Sequence, residues 1–314
     1  MNQKVAVILV NWNSLQYTID CIESLDLVTY RNFDIIVVDN GSTDGSAEKL
    51  KEKFNHIILL QSELNLGFTG GNNLALRYAI QHEYPYSMLL NNDTFVDPDF
   101  LEVLVNFMDN HPDTGIIQPK IYFHHNRSLL WNAGSYYQSW LGRTFTSGYN
   151  KISSPDSEKM KEVEWVTGCA FFTRNSILKE CGLLAENLFI YFEDVDLSFR
   201  IRSAGYTLIY HPASVIYHIA GASSKKMVPG KDGSLNSSVH YYNVRNRIWI
   251  LKKYTPLIKA PTVGLYTLFY LSGMIVYFTA RFRFNKLRAV LKAIKDGIFD
   301  SIDYDSANIK TDTF

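Results

Sequence analysis

The sequence predicts an α/β fold with a mostly parallel central sheet, followed by a hydrophobic and basic helical tail. Three observations carry this expectation. Over the first hundred residues, unbroken apolar runs alternate with stripes of helical period, as in a parallel sheet covered on both faces. Each apolar run ends in Asn, Asp or Gly, and open parallel sheets bind ligands at the carboxyl ends of their strands. Residues 260–280 form 21 positions without a charge, with a basic run behind them.

The elements follow in order. Residues 5–10 read as a strand buried on both faces, and Ser14 as a helix cap ahead of the stripe Leu15, Ile19, Ile22 and Leu25. Residues 33–38 make a second strand, leaving through the polar turn 39–46 into a helix at 47–54. Strands at 56–60 and 87–90 bracket a helix at 71–81. Beyond these come a helix at 98–110, a strand at 115–123 and a further strand at 164–173. Residues 129–157 lack periodicity; Trp131, Trp140 and the tyrosines there either stack on sugar rings or cover a sheet edge. Residues 221–236, rich in Gly, Ser and Lys, read as a lid or a disordered connector, and residues 301–314 as a loosely ordered end.

Composition narrows the function. A hydrophobic share of 46% over 314 residues supports a sizeable core, and zero formal net charge leaves no global field to recruit nucleic acid. Cys21, Cys169 and Cys181 are an odd number without metal-like spacing, which fits a reducing compartment. The opening Met-Asn-Gln-Lys runs directly into an apolar strand, so the chain is expected to start in the cytoplasm. No Gly-x-Gly-x-x-Gly and no P-loop follows the first strand, which argues against a dehydrogenase or P-loop kinase.

The densest chemistry lies in residues 189–202, where Glu193, Asp194 and Asp196 follow an aromatic run. Crowded, partly buried carboxylates have raised pKa values, and one of them could act as a general base near neutrality. Asp196 fits a helix cap instead, with Leu197, Ile201 and Ala204 facing inward. The polar strand exits contribute Asn11 and Asn13, Asp39 and Asn40, the stretch 65–73, and Asn91 to Asp93. Gly67, Gly70 and Gly71 would allow a ligand close to the backbone, and the following helix terminus could face a phosphate or sugar; a flexible connector is the alternative.

Five motifs in this order resemble glycosyltransferase family 2, most closely its rhamnosyltransferase-like branch. They are Val-Val-Asp-Asn-Gly-Ser-Thr-Asp-Gly-Ser (37–46), Asn-Leu-Gly-Phe with Gly-Gly-Asn-Asn (65–73), Leu-Leu-Asn-Asn-Asp (89–93), Val-Thr-Gly-Cys-Ala-Phe-Phe-Thr-Arg (166–174), and Glu-Asp-Val-Asp-Leu (193–197). Tyr-His-Ile-Ala-Gly-Ala-Ser-Ser (217–224) continues the match, which covers residues 4–250. The resemblance implies a GT-A nucleotide-diphospho-sugar transferase fold, a nucleotide-sugar donor, an inverting reaction and a divalent metal, Mn²⁺ or Mg²⁺. Carried over by position, Asp39 binds the base, and Asn11 and Asn13 line the nucleotide pocket. Asn65, Gly67, Gly71, Asn72, Asn91 and Asn92 join the nucleotide-sugar site. Asn91 stands where the family's Asp-x-Asp motif has its first acid, so Asp93 is left as the main acidic metal ligand, and His218 either completes the shell or makes a structural hydrogen bond at a strand end. Asp194 takes the role of base, and Glu193 orients the acceptor or raises the pKa of Asp194. Arg245 and Arg247 match an Arg-Asn-Arg segment and would hold donor or lipid diphosphate, or else lie on a solvated helix face.

The expected organisation is a catalytic domain at 1–250, divided at 97/98 into nucleotide-binding and acceptor-side halves, then a helical tail at 251–300. The uncharged stretch and the basic, apolar-interleaved run at 281–295 read as attachment to an anionic membrane surface, a membrane span, or a helical pair that is soluble or forms a dimer. Together these readings favour transfer of rhamnose from dTDP-rhamnose to a lipid-linked or growing cell-surface glycan, at the inner face of the cell membrane. A UDP-sugar hexosyl- or galactofuranosyltransferase, a binding module without catalysis, and a scaffold protein are the alternatives.

Overall fold

A computed structural model of the chain describes residues 3–220, 225–230, 233–305 and 307–308. The first half alternates as expected: β1 (Val5–Asn11), α1 (Leu15–Leu25), β2 (Phe33–Asn40), α2 (Ser46–Lys53), β3 (Ile58–Ser62), α3 (Gly67–Gln81) and β4 (Tyr86–Leu90). β1 pairs in parallel with both β2 and β4, and β2 with β3. Val5, Val7 and Leu9 of β1 face α1 through Cys21, Ile22 and Leu25, whereas Ala6 and Ile8 face α3 through Ala75, Leu76 and Ala79. Side chains alternate along a strand, so a strand with helices on both faces must be apolar at every position.

The second half adds β5 (Thr94–Val96), α4 (Phe100–Asn110), β6 (Thr114–Phe123), β7 (Leu129–Asn132), β8 (Ser135–Gln138), β9 (Arg143–Thr146), β10 (Lys151–Ile152), β11 (Lys161–Glu162), β12 (Ala170–Arg174), α5 (Asn175–Cys181), α6 (Glu193–Ser203) and β13 (Thr207–His218). The main sheet is mixed. β12 joins it antiparallel to both β4 and β6, and β13 runs parallel to β6 and antiparallel to β5.

Several local expectations change. Residues 129–157 carry four short strands, and β8 and β9 form a hairpin. The strand expected at 164–173 begins only at Ala170, because the N–H groups of Val166 and Gly168 turn to Ser198 and Asp194 instead of a ladder. Ser14 sits at the α1 N-cap, but its hydroxyl donates to Asn11 and makes no cap bond. Ala204 is exposed, although Leu197 and Ile201 are buried as expected. Asp196 is no cap: fully buried, it pairs with Arg200 at 2.9 Å and accepts hydrogen bonds from Tyr254 and Tyr304.

Those tyrosines tie the C-terminal segment to α6. The lid or connector expectation for 221–236 falls partly outside the described residues; inside them, β14 (Lys225–Gly230) pairs antiparallel with β15 (Gly233–Leu235). α7 (Ser237–Tyr254), α8 (Ala260–Ala280) and α9 (Phe284–Phe299) follow. Val244 of α7, Phe278 of α8, and Val290 and Ala293 of α9 share one buried cluster. Residues 301–305 are not loose, since Ile302 and Tyr304 pack against buried clusters, and further on the Ala307 carbonyl accepts from Leu183 N–H. α8 buries Val263 and Phe278 and leaves Leu265 and Phe269 71% and 78% exposed. Among the described residues, Leu257–Ala280 is the one helical stretch long and apolar enough to cross a membrane.

Candidate active site

Parallel pairing sets Asn11 of β1 beside Asp39 of β2. Asn11 Nδ2 donates to Asp39 Oδ1 at 2.9 Å and to Ser42 Oγ at 3.1 Å, and both Asn11 and Asp39 are buried. Asn13, at a positive φ of 48°, accepts from Thr43 N–H and donates its own N–H to Ser42 Oγ. Asn92, at the exit of β4, donates to Ser14 and Thr18 hydroxyls, and Thr18 in turn donates to Asn11. Three strand exits thus share one polar network. Ser42 was missed from the sequence because a serine in a turn carries no signal of its own.

Antiparallel pairing of β13 with β5 places His218 opposite Thr94, next to Asp93. His218 Nε2 lies 3.0 Å from Asp93 Oδ1 and 3.4 Å from Asn91 Nδ2, while the other ring nitrogen is buried without a partner. Burial alone would depress the imidazole pKa, but Cys169 and Asp93 outweigh it and raise it to about 10. Trp131 stands edge-on to the His218 ring with centroids 4.6 Å apart. With the imidazole deprotonated and the Asn91 amide turned to present its oxygen, Asp93, His218 and Asn91 would make a donor set that fits a divalent cation sharing its shell with a diphosphate. Among the described residues no third His, Cys, Asp or Glu completes a cluster.

The chain reaches Asp194 through a strained turn. Phe189, Tyr191 and Phe192 have φ of 65°, 71° and 68°, each costing about 1–3 kcal/mol in a non-glycine residue. Asn246 of α7, fully buried, donates to the carbonyls of Leu188, Ile190 and Tyr191 at 2.8–2.9 Å. Thr69 N–H donates to the Phe189 carbonyl. Asn246 is the middle residue of the Arg-Asn-Arg segment, where the sequence points to its two neighbours; a further signal is an asparagine, a poor helix former, in the interior of a long helix.

Beyond the turn, Asp194 lies in the first turn of α6. Its Oδ2 accepts the Gly168 N–H at 2.9 Å. Burial pushes the carboxyl up to about 6, against the Gly168 and Val195 N–H groups, which pull it down. Burial first, then the Asp194 charge, push Glu193 well above the usual carboxylate range. The two carboxyls interact, and burial is the first cause of the rise in each. Glu193 Oε2 is buried without a partner.

Other residues serve the architecture. Gly67 has φ +74°, and a Cβ there would stand 2.5 Å from Phe189, so the glycine lets α3 touch the strained turn. A Cβ on Gly71 would meet Val10 at 2.9 Å and Asn40 at 3.2 Å. Helix α3 begins at Gly67 and not at 71, and its first N–H is taken by Asn65 Oδ1. Asn72 donates to the Phe68 carbonyl of its own helix. The expected ligand approach at these glycines is replaced by close packing of backbone on backbone and side chain. Arg245 is likewise drawn away from a diphosphate: its Nη2 donates to the Asn187 and Leu188 carbonyls, and its guanidinium stacks over Trp249. Arg247 points elsewhere, beneath the tyrosines of α8.

Comparison with known proteins agrees with this geometry. The family model described as "Glycosyl transferase family 2" matches residues 6–182. An N-acetylglucosaminyl-diphospho-decaprenol L-rhamnosyltransferase of Mycobacterium tuberculosis is 24% identical over 260 residues, covering 77% of this chain and 82% of that protein. Among solved structures, a mannosyltransferase of Pyrobaculum calidifontis in complex with GDP-Man and Mn²⁺ is similar with a TM-score of 0.57 at 12% identity, covering 95% of this chain and 87% of that one. GalNAc-T7 with UDP, GalNAc and Mn²⁺ gives a TM-score of 0.60 at 15% identity, covering 80% of this chain and 48% of that one. The mixed sheet with its polar strand exits is therefore the GT-A fold. The chain belongs to glycosyl transferase family 2.

Proposed function

We propose that this glycosyltransferase moves rhamnose from dTDP-rhamnose, with inversion, to a lipid-linked or growing cell-surface glycan. The observation that supports it most is Asp194, a carboxylate held on the Gly168 N–H with its pKa raised to about 6. Such a group is ionised at neutral pH yet basic enough to accept a proton during attack.

In this reading Asn11, Asn13, Asp39 and Ser42 hold the nucleoside. The acceptor hydroxyl gives its proton to Asp194 as its oxygen bonds to the anomeric carbon. The bond from that carbon to the diphosphate breaks on the opposite face, and its electron pair leaves with the diphosphate. Glu193, its carboxyl pushed above the usual range by burial and then by the Asp194 charge, orients the acceptor. Asp93, His218 and Asn91 would hold Mn²⁺ or Mg²⁺, which when bound supplies Lewis-acid stabilisation of the departing charge. The apolar outer face of α8 and the basic residues of α9 support a position on the inner membrane face.

The test is binding and donor-only hydrolysis with a panel of nucleotide sugars, with and without Mn²⁺ or Mg²⁺. Metal-dependent preference for dTDP-rhamnose supports the reading. Preference for a UDP-sugar overturns the donor and keeps the mechanism, and binding without turnover turns the chain into a binding module.

A further inference from the structure

Four consecutive N–H groups beside the proposed base are answered by side chains and not by a strand. Val166 N–H donates to Ser198 Oγ at 3.0 Å, Thr167 N–H to Gln118 Oε1 at 3.4 Å, Gly168 N–H to Asp194 Oδ2 at 2.9 Å, and Cys169 N–H to Thr167 Oγ1 at 3.3 Å. All four donors belong to buried residues. A buried N–H needs an acceptor, so this segment stands where side chains supply one.

Two elements supply them. Asp194 and Ser198 lie one turn apart on α6 and share a face. Ser198 is fully buried. From the other side comes β6. Its ladder with β12 ends at Ile117, and the next residue, Gln118, offers its side chain instead. Gln118 is fully buried, and its Nε2 donates to Asn132 Oδ1 at 2.9 Å, which keeps the amide oxygen toward Thr167. Asn132 donates in turn to Ser135 Oγ at 3.0 Å.

The same segment joins the two poles of the site. Its Cys169 carbonyl accepts the Asn91 N–H at 2.9 Å, at the exit of β4 that carries Asp93. Two adjacent residues, Gly168 and Cys169, therefore carry the contact with the base and the contact with the proposed metal ligands. A Cβ on Gly168 would stand 3.1 Å from Phe68 and 3.5 Å from Glu193 Oε1, so the segment is bounded on that side too.

We propose that Ser198 and Gln118 are positioning residues for the reaction: they clamp residues 166–169 and thereby set where Asp194 stands relative to Asn91 and Asp93. The inference rests on Asp194 as the base and deepens that reading. A reacting group misplaced by about 1 Å can cost about 10²-fold in rate, so such a clamp acts on the chemistry as well as on stability.

The test is a carboxyl titration by NMR of the full chain labelled with carbon-13 aspartate, the Asp194 signal being identified by its loss in Asp194→Asn. The titratable groups near Asp194 are Glu193 on its own helix and Cys169 of the segment, and neither is altered. Ser198→Ala takes the acceptor from Val166 N–H, and Gln118→Met takes it from Thr167 N–H. Ser214→Ala is the control: it removes an equally buried hydroxyl, which on β13 donates to the Phe100 carbonyl of α4. Ser198→Ala and Gln118→Met are expected to raise the Asp194 midpoint by roughly half a unit or more, because the Gly168 N–H that pulls it down draws away. Ser214→Ala is expected to leave it in place. Donor-only hydrolysis of dTDP-rhamnose should show kcat lowered about tenfold in both clamp variants at unchanged KM. A midpoint unmoved in both, with melting temperatures that fall like that of Ser214→Ala, makes the two side chains merely structural and overturns the proposal. An equal shift in Ser214→Ala overturns it as well, since the effect would then follow from lost stability. A shift in one variant alone removes the other residue from the clamp. The wild-type midpoint tests the base, the difference between variant and wild type tests the clamp, and the titration needs no donor, so these failures are separate.

Discussion

Asn246 donates its side-chain amide to the Tyr191 carbonyl at 2.8 Å, and this bond links α7 to the turn that aims Asp194. With the bonds to Leu188 and Ile190, one amide group serves three carbonyls of a turn that its own residues do not favour. Asn246→Leu takes this donor from the Ile190 and Tyr191 carbonyls and leaves Leu188 to Arg245, at a stability cost of about 2 kcal/mol or more. Turnover is expected to fall by about tenfold or more with donor KM nearly unchanged, since the turn holds the proposed base and not the proposed nucleoside site. The acid limb of the pH–rate profile should move as Asp194 becomes hydrated, a shift that a merely structural role would not produce.

Asp194→Asn should lower turnover by about two decades or more and leave donor affinity near normal. In the wild type, only the ionised carboxylate can accept the proton. Activity is therefore expected to be full above the Asp194 pKa of about 6 and to fall as pH drops through it. A flat profile between pH 5 and 7, with the enzyme still folded, would remove Asp194 from the role; these limits are roughly one unit either side of the raised value.

Asp93→Ala and His218→Ala should each weaken the metal-dependent part of donor binding, because together they place a carboxylate and an imidazole 3.0 Å apart. Chelation should reduce wild-type binding to the level of the variants. Calorimetry of donor binding with and without Mn²⁺ checks both, and equal metal dependence in wild type and variants would exclude the pair as ligands.

Asp196→Ala is expected to destabilise the protein by about 3–5 kcal/mol, because Arg200 would lose its buried partner and Tyr254 and Tyr304 their acceptor. Thermal melting gives the magnitude. Limited proteolysis near residue 300 should speed up as the C-terminal segment loses its anchor.

Leu268→Asp with Phe269→Asp should abolish flotation on anionic liposomes without lowering the melting temperature, since both side chains are exposed on the outer face of α8. Deleting the segment from residue 260 is a poorer experiment, because it also removes the packing of Phe278, Val290 and Ala293 on α7. Unchanged flotation in the double variant would take the membrane away from this face.

Legibility varied with how local the cause was. The sheet strands of the first half were readable because burial on both faces dictates the apolar runs 5–9 of β1 and 35–38 of β2. Asp194 was readable because apolar neighbours and acids lie within one short stretch. The roles of Asp196 and of the glycines at 67 and 71 were not, because they depend on Tyr254, Tyr304, Phe189 and Val10, which come from distant parts of the chain. Ala170 as the true start of β12 was hidden for the same reason, since the preceding N–H groups answer Asp194 and Ser198.

By itself the sequence determined the alternation of strands and helices, the polar strand exits and the family, all of which rest on short-range pattern. Tertiary structure alone decided which polar groups remain open. It closed Asn65, Asn72 and Arg245 onto backbone groups, left Glu193 Oε2 and Arg247 Nε and Nη2 without hydrogen-bond partners among the described residues, and set His218 against Asp93 across 125 positions of chain. The physical reason is that a hydrogen-bonding group is satisfied by whatever folding brings within reach, and that is settled only when the whole sheet and its helices are assembled.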